Sequence, residues 1–395
     1  MRILWVTSKA PWPPCDGGRL LVAETVRALA ARGHDVRVVA VLSPGSTVTA
    51  AYAGARSAGV GLNLVDAPPR GWVGAGIAAA ATGRALTFVR HARPALARAV
   101  AASLHAHPSE VVIAEQPQLF AACRDAVGGR LPLVLRAQNV EARLWEALAA
   151  TTSWSRPLVA AEARRVDRDE LSVVRQADLV AAVTASDRDA LASAVGPDAR
   201  IEHVPPAFPA AWPATGRRLE GSPALVLLGS ASWVPNRDGN RWFEREVWPA
   251  IVAESPAAVL HGFDGRETQH GRVGERVVRH AAPAESGEAF APDSVLIVPL
   301  RIAAGIRMKV LEAWARGIPV VATSAALSGL DVEPGRQALV ADSPVAFARA
   351  VRALVVEPGL AASLVAAGRE RLVRRYDPER VARRWEELLT PLARR

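Results

Sequence analysis

Three cations and one carboxylate, Arg301, Arg307, Lys309 and Glu312, are the side chains in this 395-residue sequence whose types and spacing point most directly to chemistry. They fall in Ser294 to Leu330, SVLIVPLRIAAGIRMKVLEAWARGIPVVATSAALSGL. Val295 to Val298, closed by Pro299, is an uninterrupted apolar run of the kind that suits a strand buried on both faces of a parallel sheet. Ala303-Ala304-Gly305 is a small-residue turn. From Arg307 to Arg316 the positions Ile306, Val310, Ala313 and Gly317 recur at helical spacing, and Gly317-Ile318-Pro319 ends the helix before a strand at Val320 to Ala322. Arg307 and Lys309 thus stand at a helix start, where unpaired N–H groups already carry partial positive charge, and a bound anion would resolve that conflict. A glycine turn after a strand, a helix N-terminus and nearby cations make a site for a phosphate or diphosphate. Glu312, one turn further on, is placed to accept hydrogen bonds from a ribose or sugar diol. The competing reading is an exposed i,i+3 ion pair between Lys309 and Glu312, but basic-before-acidic is the weaker orientation. Of the 48 basic residues only Lys9 and Lys309 are lysine, so position 309 also stands out by type.

The elements that must hold such a site follow from the rest of the chain. Ile3 to Thr7 is a buried strand, and the loop KAPWPPCDGG leads into a helix over Arg19 to Ala31, capped by Gly33, before a strand at Val36 to Val41. This is a Rossmann-like opening without G-x-G-x-x-G, so no dinucleotide fingerprint is present. Gly17 and Gly18, lacking side chains, let the backbone approach a ligand closely, although a turn alone would also use them. Strands at Val60 to Val65, Val111 to Ala114, Leu133 to Leu135, Leu179 to Val183 and Ile201 to Val204 alternate with helices, predicting a parallel sheet covered on both faces. Glu115-Gln116 and Gln138-Asn139 would stand at carboxyl ends of strands, where open α/β sheets bind ligands.

Pro205 to Pro223 is the clearest composition break and predicts an interdomain linker. A second set begins with a strand at Ala224 to Leu228 ending in Gly229. Strands at Ala257 to His261, Arg276 to His280, Val295 to Val298, Val320 to Ala322 and Ala338 to Ala341 follow. Helices over Pro344 to Val356 and Leu360 to Arg375 close this set, and Asp377-Pro378-Glu379 starts a last helix with Val381, Trp385, Leu388 and Leu389 on one face.

These residues carry a family likeness. PLRIAAGIRMKVLEAWARGIPVVAT resembles the nucleotide-sugar site of bacterial retaining glycosyltransferases with the GT-B fold, the family 4-like enzymes. LLGSASWVPNRDGNRWF is similar to the first strand and loop of their donor domain, and the P-x-x-x-G-G loop to their N-terminal loop. RAQNVEARLW resembles a segment in which a histidine is common where Gln138 stands here, and Ala304 occupies the place of a second glutamate found in many members. The resemblance implies an α/β protein of two Rossmann-like domains with parallel sheets facing across a cleft. It implies an acceptor-side domain over residues 1–205, a donor domain over 206–376, and a C-terminal helix over 377–395 returning to the first domain. It implies that Arg307 and Lys309 stabilise the leaving diphosphate, that Glu312 holds the ribose, and that Gly17, Gly18, Gly229, Arg301 and Gly305 line the donor. Glu115, Gln116, Gln138 and Asn139 are the acceptor-side candidates.

Composition narrows the partners. Fifty per cent hydrophobic and 22% charged content is ordinary globular material, long enough for two domains. The net charge of +9 comes from scattered arginines without a basic stripe or interleaved aromatics, which argues against nucleic-acid binding. Two distant cysteines, Cys15 and Cys123, form no disulfide framework or zinc site, and MRILWVTSKAPWPP lacks a signal-peptide core, so the expected location is cytoplasmic. The uncharged stretch between Arg70 and Arg84 is too short to span a bilayer. A packed Ala-rich helix is the favoured reading there, with an interfacial segment at the inner face of the membrane, serving a lipid-linked acceptor, as the other.

The tripeptides Asp167-Arg168-Asp169 and Asp187-Arg188-Asp189 imitate a D-x-D metal motif but fall in helical stretches and are expected to be solvated helix charges. No metal or cofactor is expected, the nucleotide sugar being a substrate. The expectation is therefore a metal-independent glycosyltransferase acting on an unknown acceptor. Its rivals are a nucleotide-sugar epimerase of the same fold, with Glu115 as its candidate carboxylate, and a non-catalytic partner protein, suggested by Ala304 and Gln138.

Overall fold

A computed structural model describes residues 1–42, 47–151, 156–197, 199–265, 271–274, 276–302 and 304–394; Ala303 of the small-residue turn lies outside them. The first seven strands are β1 (Arg2–Thr7), β2 (Asp35–Val41), β3 (Gly61–Val65), β4 (Val111–Glu115), β5 (Leu133–Ala137), β6 (Leu179–Ala182) and β7 (Ile201–His203). They form one parallel sheet in the order β3-β2-β1-β4-β5-β6-β7. The next seven are β8 (Ala224–Leu228), β9 (Val259–Phe263), β10 (Gly271–Gly274), β11 (Val277–Arg279), β12 (Ser294–Val298), β13 (Val320–Ala322) and β14 (Leu339–Val340). Their order is β10-β11-β9-β8-β12-β13-β14, parallel except for the edge strand β10, which runs antiparallel to β11. The antiparallel β10 has no counterpart in the sequence-based reading; its glycine-bounded GRVG offers no apolar run to detect.

The apolar runs behave as a two-sided sheet requires. Every residue of β4, β5 and β12 is buried, as expected when helices cover both faces. In each sheet the strand order reverses once, between β1 and β4 in the first and between β8 and β12 in the second. Those two switch points are where diverging loops leave a crevice at the carboxyl ends.

The segment from Pro205 to Pro223 is not a loose tether. Phe208 is fully buried, its N–H donates to Tyr376 O at 2.7 Å, and Trp212 N–H donates to Ala315 O at 3.0 Å. The helix Pro378–Ala393, capped by Asp377 accepting from Arg380 N at 2.9 Å, lies on the first sheet's side. Trp385 meets Trp5 edge-on at 5.4 Å, Glu386 accepts from Arg32 Nε at 2.6 Å and contacts His34 Nε2 at 2.8 Å, and Arg384 reaches Glu202 at 2.7 Å. Through this helix the apolar cores beneath both sheets join into one continuous cluster.

Candidate active site

The helix Met308–Arg316 forms because Met308, Val310, Leu311, Ala313, Trp314 and Ala315 are buried, and it stops at Gly317, whose φ of 78° lets its N–H return to Ala313 O and Trp314 O. Its N-cap residue, Arg307, makes no side-chain cap; Val310 N–H donates to Arg307 O at 2.9 Å, and the helix start lies beyond the carboxyl end of β12, beside the switch point between β8 and β12. Arg307 is only 5% exposed, yet its Nη1 has no hydrogen-bond partner. Its guanidinium lies 5.9 Å from the Trp233 ring centroid. Burial pulls its pKa down to about 10, opposed by the charge of Asp187 from the first domain.

Lys309 is partly buried and does not pair with Glu312. Its Nζ donates to Leu228 O at the carboxyl end of β8 and lies 3.4 Å from Asn236 Oδ1. Burial, reinforced by the neighbouring Arg307 charge, lowers its pKa to about 7. Gly229 leaves room for this reach, since a Cβ there would stand 2.8 Å from Lys309 Nζ, and its φ of 139° is one L side chains rarely adopt. The exposed-pair reading of Lys309 and Glu312 is therefore excluded.

Glu312 is buried. Ser286 Oγ donates to its Oε1 at 2.8 Å and Arg316 Nε donates to the same oxygen at 2.9 Å. Desolvation pushes its pKa up, and Arg316 and the two hydrogen bonds offset part of that. Because both donors converge on Oε1, Oε2 is the oxygen available to a ligand hydroxyl. Arg301 is not a free cation: it forks onto Asp238 with Nη2 at 2.7 Å and Nε at 3.0 Å.

The first domain meets this helix start at the sequence-predicted glycines. A Cβ on Gly17 would stand 3.2 Å from Met308 Cβ, and one on Gly18 would stand 3.6 Å from Gln138 Oε1. Gly305, with φ 67°, packs so closely that a Cβ would collide with Gln138 O and come within 3.0 Å of Asn139 Cβ. Gly17, Gly18, Gly305, Gln138 and Asn139 thus converge on the start of the Met308–Arg316 helix. Gly305 serves the contact between the domains.

Glu115 joins one other candidate, Gln138, to a buried network in the first domain. It is fully buried, accepts from Trp5 Nε1 at 2.7 Å and Gln138 Nε2 at 2.8 Å, and lies 3.7 Å from Arg136. Arg136, also buried, donates to Thr25 Oγ1 at 3.0 Å and lies between the Trp5 and Trp385 rings at 5.4 and 5.9 Å. Fully buried and held in the core by these partners, Glu115 presents no solvent-facing carboxylate to an anomeric centre, which weighs against the epimerase reading. Gln116 holds a positive φ of 79° and accepts from Ser8 Oγ at 3.0 Å.

Sequence reasoning missed Asp187, Asn236, Ser286 and Arg316. Asp187 and Asp169 also correct the expectation of solvated helix charges. Asp167 and Asp189 are exposed, but Asp187 is buried and accepts from Thr184 Oγ1 at 2.7 Å, and Asp169 is buried and accepts from Ala85 N at 2.8 Å. Arg316, one turn after Glu312 in the favourable acid-before-base order, was the legible signal. Among the described residues no group of three or more His, Cys, Asp or Glu side chains is placed to hold a metal ion. Two cavities of the first domain, about 200 and 250 Å³, lie at the amino ends of β1 to β3 beside Arg37 and His107, away from this site.

Two switch points, a cation-bearing helix start and close contact between paired Rossmann-like domains define a GT-B glycosyltransferase. The chain belongs to that family: residues 16–207 match the Glycosyl transferase 4-like domain and residues 222–357 match Glycosyl transferases group 1, together most of its length. Its fold is similar to sucrose-phosphate synthase from Thermosynechococcus elongatus (16% identity, TM-score 0.67, 99% of each chain covered). It is also similar to Anabaena HepE in complex with UDP-glucose (14%, TM-score 0.67, covering 99% of this chain and 100% of that one). A third likeness is to WaaG, a glycosyltransferase involved in lipopolysaccharide biosynthesis (15%, TM-score 0.64, 99% and 100%). Comparison with curated protein sequences returns no match.

Proposed function

We propose that this glycosyltransferase moves a sugar from a nucleoside diphosphate sugar to an acceptor hydroxyl with retention, and that it uses no metal or other cofactor. The observation that carries the reading is Arg307, a buried guanidinium with an unpartnered Nη1 at an uncapped helix start, one residue from Met308 and two from a lysine poised near neutral pKa. An anion there gains two cations and the helix N-terminus, and the cations are already largely withdrawn from water in the folded protein. HepE, similar in fold, is described in complex with UDP and with UDP-glucose, which supports a nucleoside diphosphate as that anion.

The chemistry breaks the bond between the anomeric carbon and the β-phosphate oxygen and forms one from the acceptor oxygen to the same carbon. Charge grows on the departing oxygen, where Arg307, Lys309 and the helix start stabilise it electrostatically. Glu312 Oε2 takes a ribose hydroxyl. Glu115, the carboxylate bonded to Gln138, is also held by Trp5 in the core, so the proposed route passes the acceptor proton to the departing phosphate oxygen on the same face, which retains configuration. Gln138 and Asn139, with Gln116 nearby, face the acceptor side.

Calorimetric titration with UDP, GDP and ADP and their glucosides tests the donor: one nucleoside diphosphate should bind and its sugar should turn over in the presence of chelator. Absence of binding by every diphosphate, or turnover abolished by chelator and restored by magnesium or manganese, would overturn the reading.

A further inference from the structure

We propose that the helix Trp72–Thr82 is a docking element that seats the first domain on an anionic lipid surface. The sequence favours a packed Ala-rich helix here, with an interfacial segment as the other reading; the helix is present, but only Ala75 and Ala79 are buried in it. Its large side chains point outward: Trp72 is 62% exposed, Val73 79% and Ile77 68%. No charged residue occurs from Gly71 to Gly83. A surface helix of a water-solvated domain normally turns charged or polar residues outward, so an outward face of Trp, Val, Ile, Gly and Ala is the inverse of that pattern.

Arginines rim this face. Arg70 and Arg84 flank the helix, the Arg90 guanidinium lies 4.0 Å over the Trp72 ring while its Nε donates to Arg70 O at 3.2 Å, and Arg168 Nη2 donates to Gly83 O at 2.5 Å. The nearby carboxylate Asp169 is taken up by Arg84 at 3.5 Å and Arg168 at 3.2 Å. Arg70 and Arg90 have no carboxylate partner among the described residues, so the rim carries net positive charge. Apolar side chains flanked by arginines, with a tryptophan at the boundary, match the division between acyl chains and anionic headgroups. A second copy of the chain is a poorer occupant, because three large side chains fall well short of the roughly 800 Å² that each partner buries in a stable protein interface. The helix follows β3 at its carboxyl end, the same end of the sheet as Glu115 and Gln138. A membrane beneath it would bring a lipid-linked acceptor to the acceptor side of the site.

Vesicle co-sedimentation of the full chain tests this without reference to the donor. The protein should pellet with phosphatidylglycerol-containing vesicles and at least tenfold less with phosphatidylcholine alone, and binding to the former should weaken with added salt. Trp72→Ser/Ile77→Ser should lower binding at least tenfold, and Arg70→Glu/Arg90→Glu should remove the preference for the anionic vesicles. All four positions lie at the surface, so thermal melting and nucleoside diphosphate affinity should match the parent protein. The proposal fails if neither vesicle binds, if both bind equally, if the variants bind as the parent does, or if the parent instead forms a dimer that Trp72→Ser/Ile77→Ser abolishes.

Discussion

Lys309 donates its Nζ proton to the main-chain carbonyl of Leu228, 81 residues earlier at the carboxyl end of β8, and so ties the helix start to the neighbouring strand across the switch point. Burial, with the Arg307 charge beside it, lowers the Lys309 pKa to about 7, so this ammonium is charged only in part at neutral pH. It is therefore a site that an incoming diphosphate completes.

Binding of a nucleoside diphosphate should draw a proton onto Lys309. The bound anion favours the charged form, so the complex holds more protons than the free protein above pH 7. Affinity is then full below about 7 and falls as pH rises through it. Titrations in buffers of different ionisation enthalpy should show net proton uptake at pH 8 and little at pH 6; an uptake that is the same at both would exclude the depressed lysine.

Lys309→Ala should slow transfer on the order of a hundredfold, about 3 kcal/mol of barrier, and weaken diphosphate binding by less, because charge on the leaving oxygen is greatest in the transition state. Steady-state kinetics alongside calorimetry separate the two effects. Full activity in this variant would mean that the anion site lies elsewhere.

Glu312→Gln carries a structural cost as well as a binding cost. The amide can still accept from Ser286, but Arg316, which donates from a largely buried position at 2.9 Å, loses its counter-charge. Removing one partner of a buried pair costs about 3 kcal/mol. The variant should melt lower, with a raised KM for donor and little change in kcat; denaturant unfolding and saturation kinetics check both parts.

Gly305→Ala tests the contact between domains. The left-handed φ costs an alanine about 1–2 kcal/mol, and its Cβ would run into Gln138 O. The variant should fold with a slightly lower melting temperature, while kcat/KM drops at least tenfold because the helix start can no longer seat against Gln138 and Asn139. Gly33→Ala, also at positive φ but with open space around it, should pay the backbone cost and keep its activity.

Glu115→Ala should act on stability rather than acceptor recognition. It strands Arg136 between two indole rings without its counter-charge, at a cost of roughly 3–5 kcal/mol, and loosens the closing helix through Trp385. Arg136→Met with Glu115→Gln, which removes both charges and keeps volume, should recover most of the loss in denaturant midpoint. If the single variant unfolds normally but loses only acceptor affinity, Glu115 contacts the acceptor after all.

What the sequence determined by itself was everything written in local spacing: two runs of alternating apolar strands and helices, a Pro-rich break between them, and a helix whose start carries Arg307 and Lys309. Those signals are legible because a buried parallel strand must be apolar throughout and a helix must show one apolar face. The tertiary structure alone decided which groups those side chains answer to. Glu312 turned from Lys309 to Ser286 and Arg316, Arg301 went to Asp238, Asp187 came to face Arg307, and Glu115 linked Gln138 to a buried network with Trp5 and Arg136. The helix Trp72–Thr82 was legible in the sequence, which left a packed and an interfacial reading open; only the structure shows its large apolar residues pointing outward. Partners of this kind are set by the order in which strands assemble, and strand order brings together residues far apart in the chain whose relation leaves no periodic trace in either segment.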